Sequence, residues 1–354
     1  MEKHIAERVE RAIREKVFPG CVVGIVGKNG IRAVLSFGRF TYDENAPSVK
    51  EDTIYDVASL TKAVATGSLA LTLIEQGKLE LDSKLCDYLP EFNNSDREKV
   101  LIRHLLTYTL AGYGLGRLLA DITDPKKLTE YVLHRDFDKP PGTVFEYSNI
   151  PAFLLGLAVE RIAGESLDML ADKYFFQPLG MSRTTFFPER FSKNEIVPTE
   201  IDHWRGLVQG VVHDESAYLF KTVGNKTVGH AGLFSTAGDL LTFMEMLLHG
   251  GTLRGRTYFK EETVGQMETN QIPELNDFTG LGWELNQPRF MGKSCTEHTF
   301  GKTGFTGTLC ICDRRRGVAY VILSNRIYPQ RPADSSAINA VRADIGEIIL
   351  GSTF

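Results

Sequence analysis

Residues 56–77 read DVASLTKAVATGSLALTLIEQG, and the apolar residues after Ser59 recur at helical intervals. This pattern predicts a helix that begins at Ser59 and ends at Gly77, because glycine favours helix C-termini. Ser59 and Lys62 are three residues apart and therefore share one face of the helix. The Lys62 amine can reach the Ser59 hydroxyl from that position.

The Ser59 and Lys62 pair suits nucleophilic catalysis. A serine hydroxyl is a poor nucleophile at neutral pH and needs a nearby base. A lysine can act as that base when burial or a neighbouring cation keeps part of it neutral. The start of a helix also offers free N–H groups and the positive end of its dipole. Taken alone, the motif also fits a capping serine followed by a solvated lysine.

The predicted elements place strands near both ends of the chain and helices between them. Residues 2–16 predict a helix, and residues 21–27 and 31–37 predict strands joined by an Asn29-Gly30 hairpin turn. The remaining predictions are helices over 98–107, 125–134, 150–163, 166–176, 240–249 and 337–350, strands over 305–312 and 318–324, and loops with short strands over 186–229.

This order of elements indicates an α/β (α+β) fold with a central antiparallel sheet. Both termini would contribute strands to the sheet, and helices would flank it. Residues 1–77 and 230–354 would form this discontinuous sheet domain. Residues 78–229 would form an inserted, mainly helical domain.

Composition narrows the class of protein. The chain has 354 residues, of which 42% are hydrophobic and 24% charged, and these values exclude disordered and collagen-like chains. Its 40 basic and 45 acidic residues give a net charge of −5, which disfavours nucleic-acid binding. No apolar run approaches the ~20 residues that a membrane span needs. The five cysteines lack disulfide or zinc spacing, and we expect Cys310 and Cys312 to be small core residues.

A second candidate motif, Tyr147-Ser148-Asn149, precedes the helix predicted over 150–163. A Tyr147 phenol beside a lysine ammonium would be held partly as phenolate and could shuttle protons. Asn149 could donate and accept hydrogen bonds with a substrate amide. The alternative is an ordinary helix cap at Ser148 or Asn149 beside a buried tyrosine.

A third candidate motif lies at residues 300–308, which read FGKTGFTGT. Its glycines, Gly304 among them, would let a ligand approach the backbone at the start of a strand. Lys302 and Thr303 could hold an anionic group, and the N–H of Phe305 could face an oxyanion. The alternative is a glycine-rich strand edge with an exposed lysine.

Other polar and glycine-rich segments are weaker candidates. His213-Asp214-Glu215 and His230 are unaccompanied by a G-x-S-x-G or H-E-x-x-H motif, so we expect them to line a cleft or support the structure. The glycine-rich residues 112–116 follow a helical pattern rather than a strand. A dinucleotide-binding loop is therefore not expected there.

The three motifs occur in the order SLTK at 59–62, YSN at 147–149 and KTG at 302–304. Together they make the chain resemble the penicillin-recognising serine hydrolases, the superfamily of serine β-lactamases, penicillin-binding DD-peptidases and related carboxylesterases. The Y-x-N form is similar to the class C branch. IRHLLTYT at 102–109, GHAGLFST at 229–236 and LGW at 281–283 also fit that branch, so the resemblance covers approximately residues 5–350.

The resemblance implies a β-lactamase-like fold and a role for each catalytic residue. Ser59 would be the nucleophile that forms an acyl-enzyme. Lys62 would hold the proton network and assist the activation of Ser59. Tyr147 would be the general base in acylation and would then protonate the leaving group.

The resemblance also implies the substrate-binding residues. Asn149 would orient the acyl side chain. Lys302 and Thr303 would meet the substrate carboxylate, next to Gly304 in the same motif. The oxyanion hole would consist of the nucleophile's own N–H and that of Phe305.

We therefore expect a serine hydrolase for β-lactams or D-amino-acid peptides and amides. The alternatives are a carboxylesterase for small or lipid esters and a non-catalytic binding or regulatory relative. We expect a small-molecule substrate, no cofactor, no metal, no nucleic-acid partner, no membrane span, and a monomer or weak homo-oligomer. A cytoplasmic location is expected because residues 1–17 lack the apolar stretch of a secretory signal, unless a leader was removed from a periplasmic or extracellular protein.

Overall fold

The computed structural model describes residues 1–94, 96–111 and 123–352. Within them, the strands form one six-stranded sheet and three two-stranded sheets. The strands are β1 Gly20–Gly27, β2 Arg32–Gly38, β3 Tyr55–Asp56, β4 Glu200–Asp202, β5 Gly206–Val208, β6 Phe234–Ser235, β7 Thr252–Leu253, β8 Arg256–Thr257, β9 Glu284–Leu285, β10 Phe300–Thr303, β11 Leu309–Asp313 and β12 Val318–Ser324.

Helices account for most of the remaining regular structure. The α-helices are α1 Glu2–Arg14, α2 Ser68–Glu75, α3 Leu85–Tyr88, α4 Ile102–Leu106, α5 Pro125–His134, α6 Ile150–Ala163, α7 Leu167–Ala171, α8 Gln177–Leu179, α9 Glu215–Thr222, α10 Ala237–Leu248, α11 Glu261–Met267, α12 Pro288–Met291 and α13 Ser336–Leu350. Two π-helical segments, Lys62–Gly67 and Asp172–Phe176, and short 3₁₀ turns at Arg97–Lys99, Pro188–Arg190, Lys193–Glu195 and Pro273–Leu275 join them.

The large sheet contains strands from both ends of the chain. Its order is β2-β1-β12-β11-β10-β9, and neighbouring strands are antiparallel. Along the β1–β12 pair, Cys21 lies opposite Ser324 and Gly27 lies opposite Val318. The prediction of an antiparallel sheet assembled from both termini is confirmed.

Helices cover both faces of this sheet. Alternate residues of β12 point to opposite faces, as the two-residue period of a strand requires. Val318, Tyr320 and Ile322 belong to a buried cluster with α1 and α13. Ala319, Val321 and Leu323 belong to a second cluster with α10, which also contains Cys310 and Cys312, as predicted for small core residues. A strand that is apolar on both faces is the pattern expected between two helical layers.

The predicted strand over 305–312 is wrong in its first four residues. β10 ends at Thr303, residues 304–308 form a turn, and β11 begins at Leu309. The Gly304 N–H donates to the Thr308 carbonyl at 2.7 Å, and Gly307 adopts a φ of +118° that favours glycine. The sequence of residues 305–312 did not reveal this reversal of chain direction. Lys302 therefore lies near the end of a strand and not at the start of one.

The middle of the chain is mainly helical in its described residues. Helices α5 and α6 match the predictions for 125–134 and 150–163, whereas the helix predicted over 98–107 shortens to α4 and a 3₁₀ turn. One buried cluster joins Phe153 of α6 to Val321 of the sheet, so the core continues between the two parts. The domain boundaries at 77/78 and 229/230 stay a prediction.

Four predictions from the sequence concern the glycine-rich segment, a membrane span, the cellular location and the oligomeric state. The glycine-rich residues 112–116 lie outside the described residues. No helix in the described ranges is long and apolar enough to cross a membrane. The expected location and the expected monomer or weak homo-oligomer stay predictions.

Gly24 provides a test of the packing between β1 and α10. A Cβ at Gly24 would lie 2.6 Å from Leu241 Cδ1, so we expect Gly24→Ala to lower the free energy of unfolding by about 1–3 kcal/mol. Urea denaturation followed by circular dichroism measures this change.

The matched control is Gly265→Ala in α11, where an added Cβ would meet no atom within 4 Å. We expect this variant to be more stable than wild type by roughly 0.5–1 kcal/mol, because alanine loses less conformational entropy in a helix than glycine. A Gly24→Ala midpoint equal to that of wild type would contradict the close packing.

Candidate active site

A sharp turn at Ala58 presents Ser59 to the surface of the fold. Ala58 has a φ of +47°, a value that is uncommon for residues other than glycine. The Asp56 carboxylate fixes the turn, because its Oδ1 accepts from the Ala58 N–H at 2.8 Å and its Oδ2 accepts from the His213 N–H at 2.8 Å. Ser59 itself is half-buried at the start of the helix.

Lys62 contacts the Ser59 hydroxyl directly. Its Nζ lies 2.8 Å from Ser59 Oγ and 2.8 Å from the carbonyl oxygen of His230. The pKa of Lys62 is lowered to about 7, chiefly by burial and then by the nearby Lys302 cation, against the opposing effect of Asp214 and Glu284. A large fraction of Lys62 is therefore neutral near pH 7 and able to accept the Ser59 proton.

Tyr147 lies beside both lysines, which approach the face of its ring. Lys302 Nζ is 4.2 Å and Lys62 Nζ is 5.3 Å from the ring centroid. Loss of hydration raises the pKa of the Tyr147 phenol, and this effect outweighs the lowering by Lys302. The direction of this pKa shift favours a neutral phenol, and the partial phenolate stays a prediction.

Lys302 is fully buried and already has a carboxylate partner. Its Nζ lies 3.1 Å from Glu284 Oε1 and 4.0 Å from the centroid of the Tyr108 ring. The side chain has 0% of its surface exposed, so it lies beneath the wall of the site. This geometry favours an electrostatic role for Lys302 over the direct contact with a substrate carboxylate that the resemblance implies.

The turn over residues 304–308 is tied to the nucleophile turn. Thr306 Oγ1 donates to the Asp56 carbonyl at 2.7 Å, and Thr308 Oγ1 donates to the Val57 carbonyl at 3.0 Å. A Cβ at Gly304 would overlap Val57 O and Thr308 Oγ1, so only glycine permits this close approach. The backbone of residue 305 is thereby held next to Ser59.

The two N–H groups assigned to the oxyanion hole are available. Within the described residues, neither the Ser59 N–H nor the Phe305 N–H donates a hydrogen bond to another protein group. Ser59 is half-buried, and backbone donors shielded from water usually have partners. An unpaired pair beside a serine hydroxyl suits the stabilisation of a developing oxyanion.

The predicted site residues meet at one cavity of about 370 Å³. Ser59, Tyr147 and Asn149 line it together with the segment Thr303, Gly304 and Phe305, whereas Lys62 and Lys302 lie behind its surface. The cavity wall also contains residues that sequence reasoning had not assigned to binding: Glu284, Arg289, Phe290, Arg326, Ser335, Asn339 and Arg342.

Arg342 carries a signal that could have been found in the sequence. It lies on the buried face of α13 with Ile338, Ile345 and Ile349, where a charged residue interrupts the apolar pattern. Its Nη2 donates to the carbonyl of Gly304 at 2.9 Å and of Thr308 at 2.8 Å. Burial lowers the pKa of Arg342 to about 9, so the guanidinium stays charged at neutral pH. Arg342 thus braces the turn that follows β10.

Of the polar set formed by His213, Asp214, Glu215 and His230, only Asp214 lines the cavity, and the two histidines lie behind it. Asp214 lines the cavity, and its Oδ2 accepts from Asn149 Nδ2 at 3.3 Å. The His213 ring stacks on Phe305 with centroids 5.5 Å apart. His230 contacts Asp214 through Nε2 at 3.1 Å and holds Lys62 through its carbonyl.

Known proteins share both the sequence pattern and the fold. Residues 2–344 match the family model described as Beta-lactamase. A protein of Escherichia coli K12, provisionally named a D-alanyl-D-alanine carboxypeptidase, is 31% identical over 328 residues, which cover 84% of this chain and 74% of that protein.

Two solved structures illustrate the shared fold. EstCE1, a hydrolase with promiscuous acyltransferase activity, has a TM-score of 0.78 at 21% identity, over 99% of this chain and 98% of that chain. A class C beta lactamase from Rhodobacter sphaeroides has a TM-score of 0.74 at 20% identity, over 98% of this chain and 99% of that chain.

The pKa of Lys62 predicts how the reactivity of Ser59 depends on pH. Protonated Lys62 cannot accept the Ser59 proton, so the rate of acylation should rise with pH and pass its midpoint near pH 7. The burst of p-nitrophenol released from a p-nitrophenyl ester between pH 5.5 and 8.5 measures this rate.

Lys62→Arg is the comparison variant, because a guanidinium keeps its proton over this range. We expect it to acylate roughly 100-fold more slowly than wild type, without the inflection near pH 7. A wild-type rate that does not change between pH 5.5 and 8.5 would contradict the assignment of Lys62 as the base.

Proposed function

Because the chain belongs to the beta-lactamase family, we propose that it is a serine hydrolase that acts on β-lactams or D-amino-acid peptides and amides through an acyl-enzyme on Ser59. The observation that carries this proposal is the 2.8 Å contact between Lys62 Nζ and Ser59 Oγ. The serine faces a cavity large enough for a small peptide, and two unpaired backbone N–H groups lie beside it. A nucleophile, a base and an oxyanion site are thus present together.

In the acylation step, neutral Lys62 takes the proton from Ser59 Oγ as that oxygen attacks the substrate carbonyl carbon. The N–H groups of Ser59 and Phe305 stabilise the negative charge that develops on the carbonyl oxygen. The neutral Tyr147 phenol then donates its proton to the leaving nitrogen and regains one from the Lys62 ammonium. Tyr147 acts here as a proton relay rather than as the first base.

Deacylation uses the same groups with water in place of the leaving amine. Water loses a proton through Tyr147 to Lys62 while its oxygen attacks the acyl carbon, and the Ser59 oxygen then regains the proton. Tyr147 gives a proton to the leaving nitrogen in acylation and takes one from water in deacylation, as microscopic reversibility leads one to expect.

We propose that the carboxylate of the substrate contacts Thr303 and the cavity arginines rather than Lys302. Both Lys302 and Arg289 contact Glu284, but Lys302 is fully buried, whereas Arg289 has 64% of its side chain exposed. Arg326 donates its Nε and Nη1 hydrogens to the carbonyls of residues 305 and 334, which orients its guanidinium at the cavity wall. Guanidinium groups bind carboxylates well because they offer paired donors.

A C-terminal carboxylate is a property of D-alanyl-D-alanine, the group in the name of the Escherichia coli relative. The arginine-lined wall therefore supports a peptide or β-lactam substrate over a neutral ester. The acyl-transfer chemistry on Ser59 is the same for all of these substrate classes.

A carboxylesterase for small or lipid esters is the second candidate. Phe290 and Phe305 line the cavity, and Phe305 has 44% of its surface exposed, so part of the wall is apolar. A non-catalytic relative is disfavoured, because the nucleophile, the base and the oxyanion donors are all in contact or within one cavity.

The decisive test is covalent labelling of Ser59. We expect intact mass spectrometry to show one adduct with a chromogenic cephalosporin, and we expect release of D-alanine from an N-acylated D-alanyl-D-alanine peptide. Both signals should be lost in Ser59→Ala, because no other hydroxyl has the Lys62 contact among the described residues.

Ser335→Ala is the matched control, since Ser335 also lines the cavity and should retain wild-type labelling. Rapid hydrolysis of p-nitrophenyl esters without any cephalosporin adduct or D-alanine release would favour the esterase. An adduct that persists in Ser59→Ala would refute the assignment of the nucleophile.

A further inference from the structure

The Asp214 carboxylate is a charged group on the cavity wall that the proposed mechanism does not use. Its Oδ1 accepts from Ser216 Oγ at 2.6 Å and from the Ala217 N–H at 2.9 Å, and it lies 3.1 Å from His230 Nε2, which also contacts Ser216 Oγ at 2.8 Å. Its Oδ2 has a single long contact, 3.3 Å from Asn149 Nδ2. One oxygen therefore anchors the side chain, and the other keeps capacity for a ligand.

Asp214 differs from the other carboxylate in the cavity. Glu284 is paired with two cations, since Lys302 Nζ lies 3.1 Å from Oε1 and Arg289 Nη2 lies 3.3 Å from Oε2. In the described ranges, Asp214 forms no ion pair with a lysine or arginine. Asp214 thus offers the cavity a negative charge whose direct partners are a histidine, a hydroxyl and amide groups.

Asp214 is ionised although the site is largely desolvated. Burial opposes the charge, but His230, Ser216 and the Ala217 N–H outweigh it and hold the pKa of Asp214 below its usual range. The anion persists over the whole pH range in which Lys62 titrates.

The position of Asp214 indicates which part of a substrate it would meet. The resemblance gives Asn149 the role of orienting the acyl side chain, and Asp214 Oδ2 lies 3.3 Å from the Asn149 amide nitrogen. A substituent one or two bonds from the substrate's acyl-side amide would therefore fall within reach of Oδ2. The cavity arginines come from elements other than the one that carries Asp214, namely α12, the segment after β12, and α13.

We propose that Asp214 binds a primary ammonium group on the acyl part of the substrate. This inference rests on the proposed function and adds the substrate class to it. With the carboxylate held by Thr303 and the arginines, the preferred substrate is a zwitterion, a D-peptide or β-lactam that carries a free amine near its acyl-side amide.

Ampicillin and benzylpenicillin test this proposal, because they differ only in an amino group on the acyl side chain. The second-order rate constant for Ser59 acylation by each is measured by intact mass at pH 6, where the ampicillin amine is protonated. Both reactions depend on Lys62 in the same way, so their ratio reports the amine alone. We expect wild type to prefer ampicillin about tenfold, the effect of one charge-assisted hydrogen bond.

Asp214→Asn keeps the size of the side chain and the Oδ1 acceptor but removes the charge. We expect the preference for ampicillin to fall to near one while the benzylpenicillin rate changes less than the ampicillin rate. Asp138→Asn, at an exposed position, changes the net charge by the same amount and should keep the tenfold ratio.

Three other results would overturn the inference, and each can be told from the others. A wild-type ratio of one or below would overturn the inference without any variant, so the test does not depend on Asp214→Asn folding. An equal loss for both penicillins in Asp214→Asn would also overturn it and would leave Asp214 as a group that only positions Asn149. No adduct with either penicillin would overturn the β-lactam form of the proposed function, and this inference with it.

Discussion

The active site depends on two buried lysines whose surroundings differ. Lys302 has the Glu284 carboxylate at 3.1 Å, whereas Lys62 has only two neutral oxygens at 2.8 Å, those of Ser59 and His230. Without a carboxylate in contact, Lys62 has its pKa lowered by burial and then by the neighbouring Lys302 cation. The amine that gives up its proton is the one in contact with the nucleophile.

The 304–308 turn connects this electrostatic arrangement to the fold. Thr306 and Thr308 donate to the carbonyls of the nucleophile turn, and the buried Arg342 donates to the carbonyls of residues 304 and 308. The sheet, the nucleophile turn and α13 thus converge on five residues of backbone. Their hydrogen bonds fix the position of the Phe305 N–H relative to Ser59, as a preorganised oxyanion site requires.

Features that depend on local spacing could be predicted from the sequence. The contact of Ser59 with Lys62 follows from a separation of three residues on a helix, and the β1–β2 hairpin follows from Asn29-Gly30. The Lys302–Glu284 pair and the placement of Asp214 depend on tertiary packing, which spacing does not encode. The turn at residue 305 was missed for the same reason, since strand reversal depends on the surrounding elements.

The pairing of β1 with β12 also determines when, during synthesis, the active site of this protein can form. Because residues 21–27 find their second partner strand in residues 318–324, a chain emerging from the ribosome cannot complete the central sheet until those residues have been synthesised. Contacts so distant in sequence slow folding, because a very long loop must close before they form. Until then the apolar strand β1 lacks one neighbour, and the nascent protein is exposed to mispairing and aggregation.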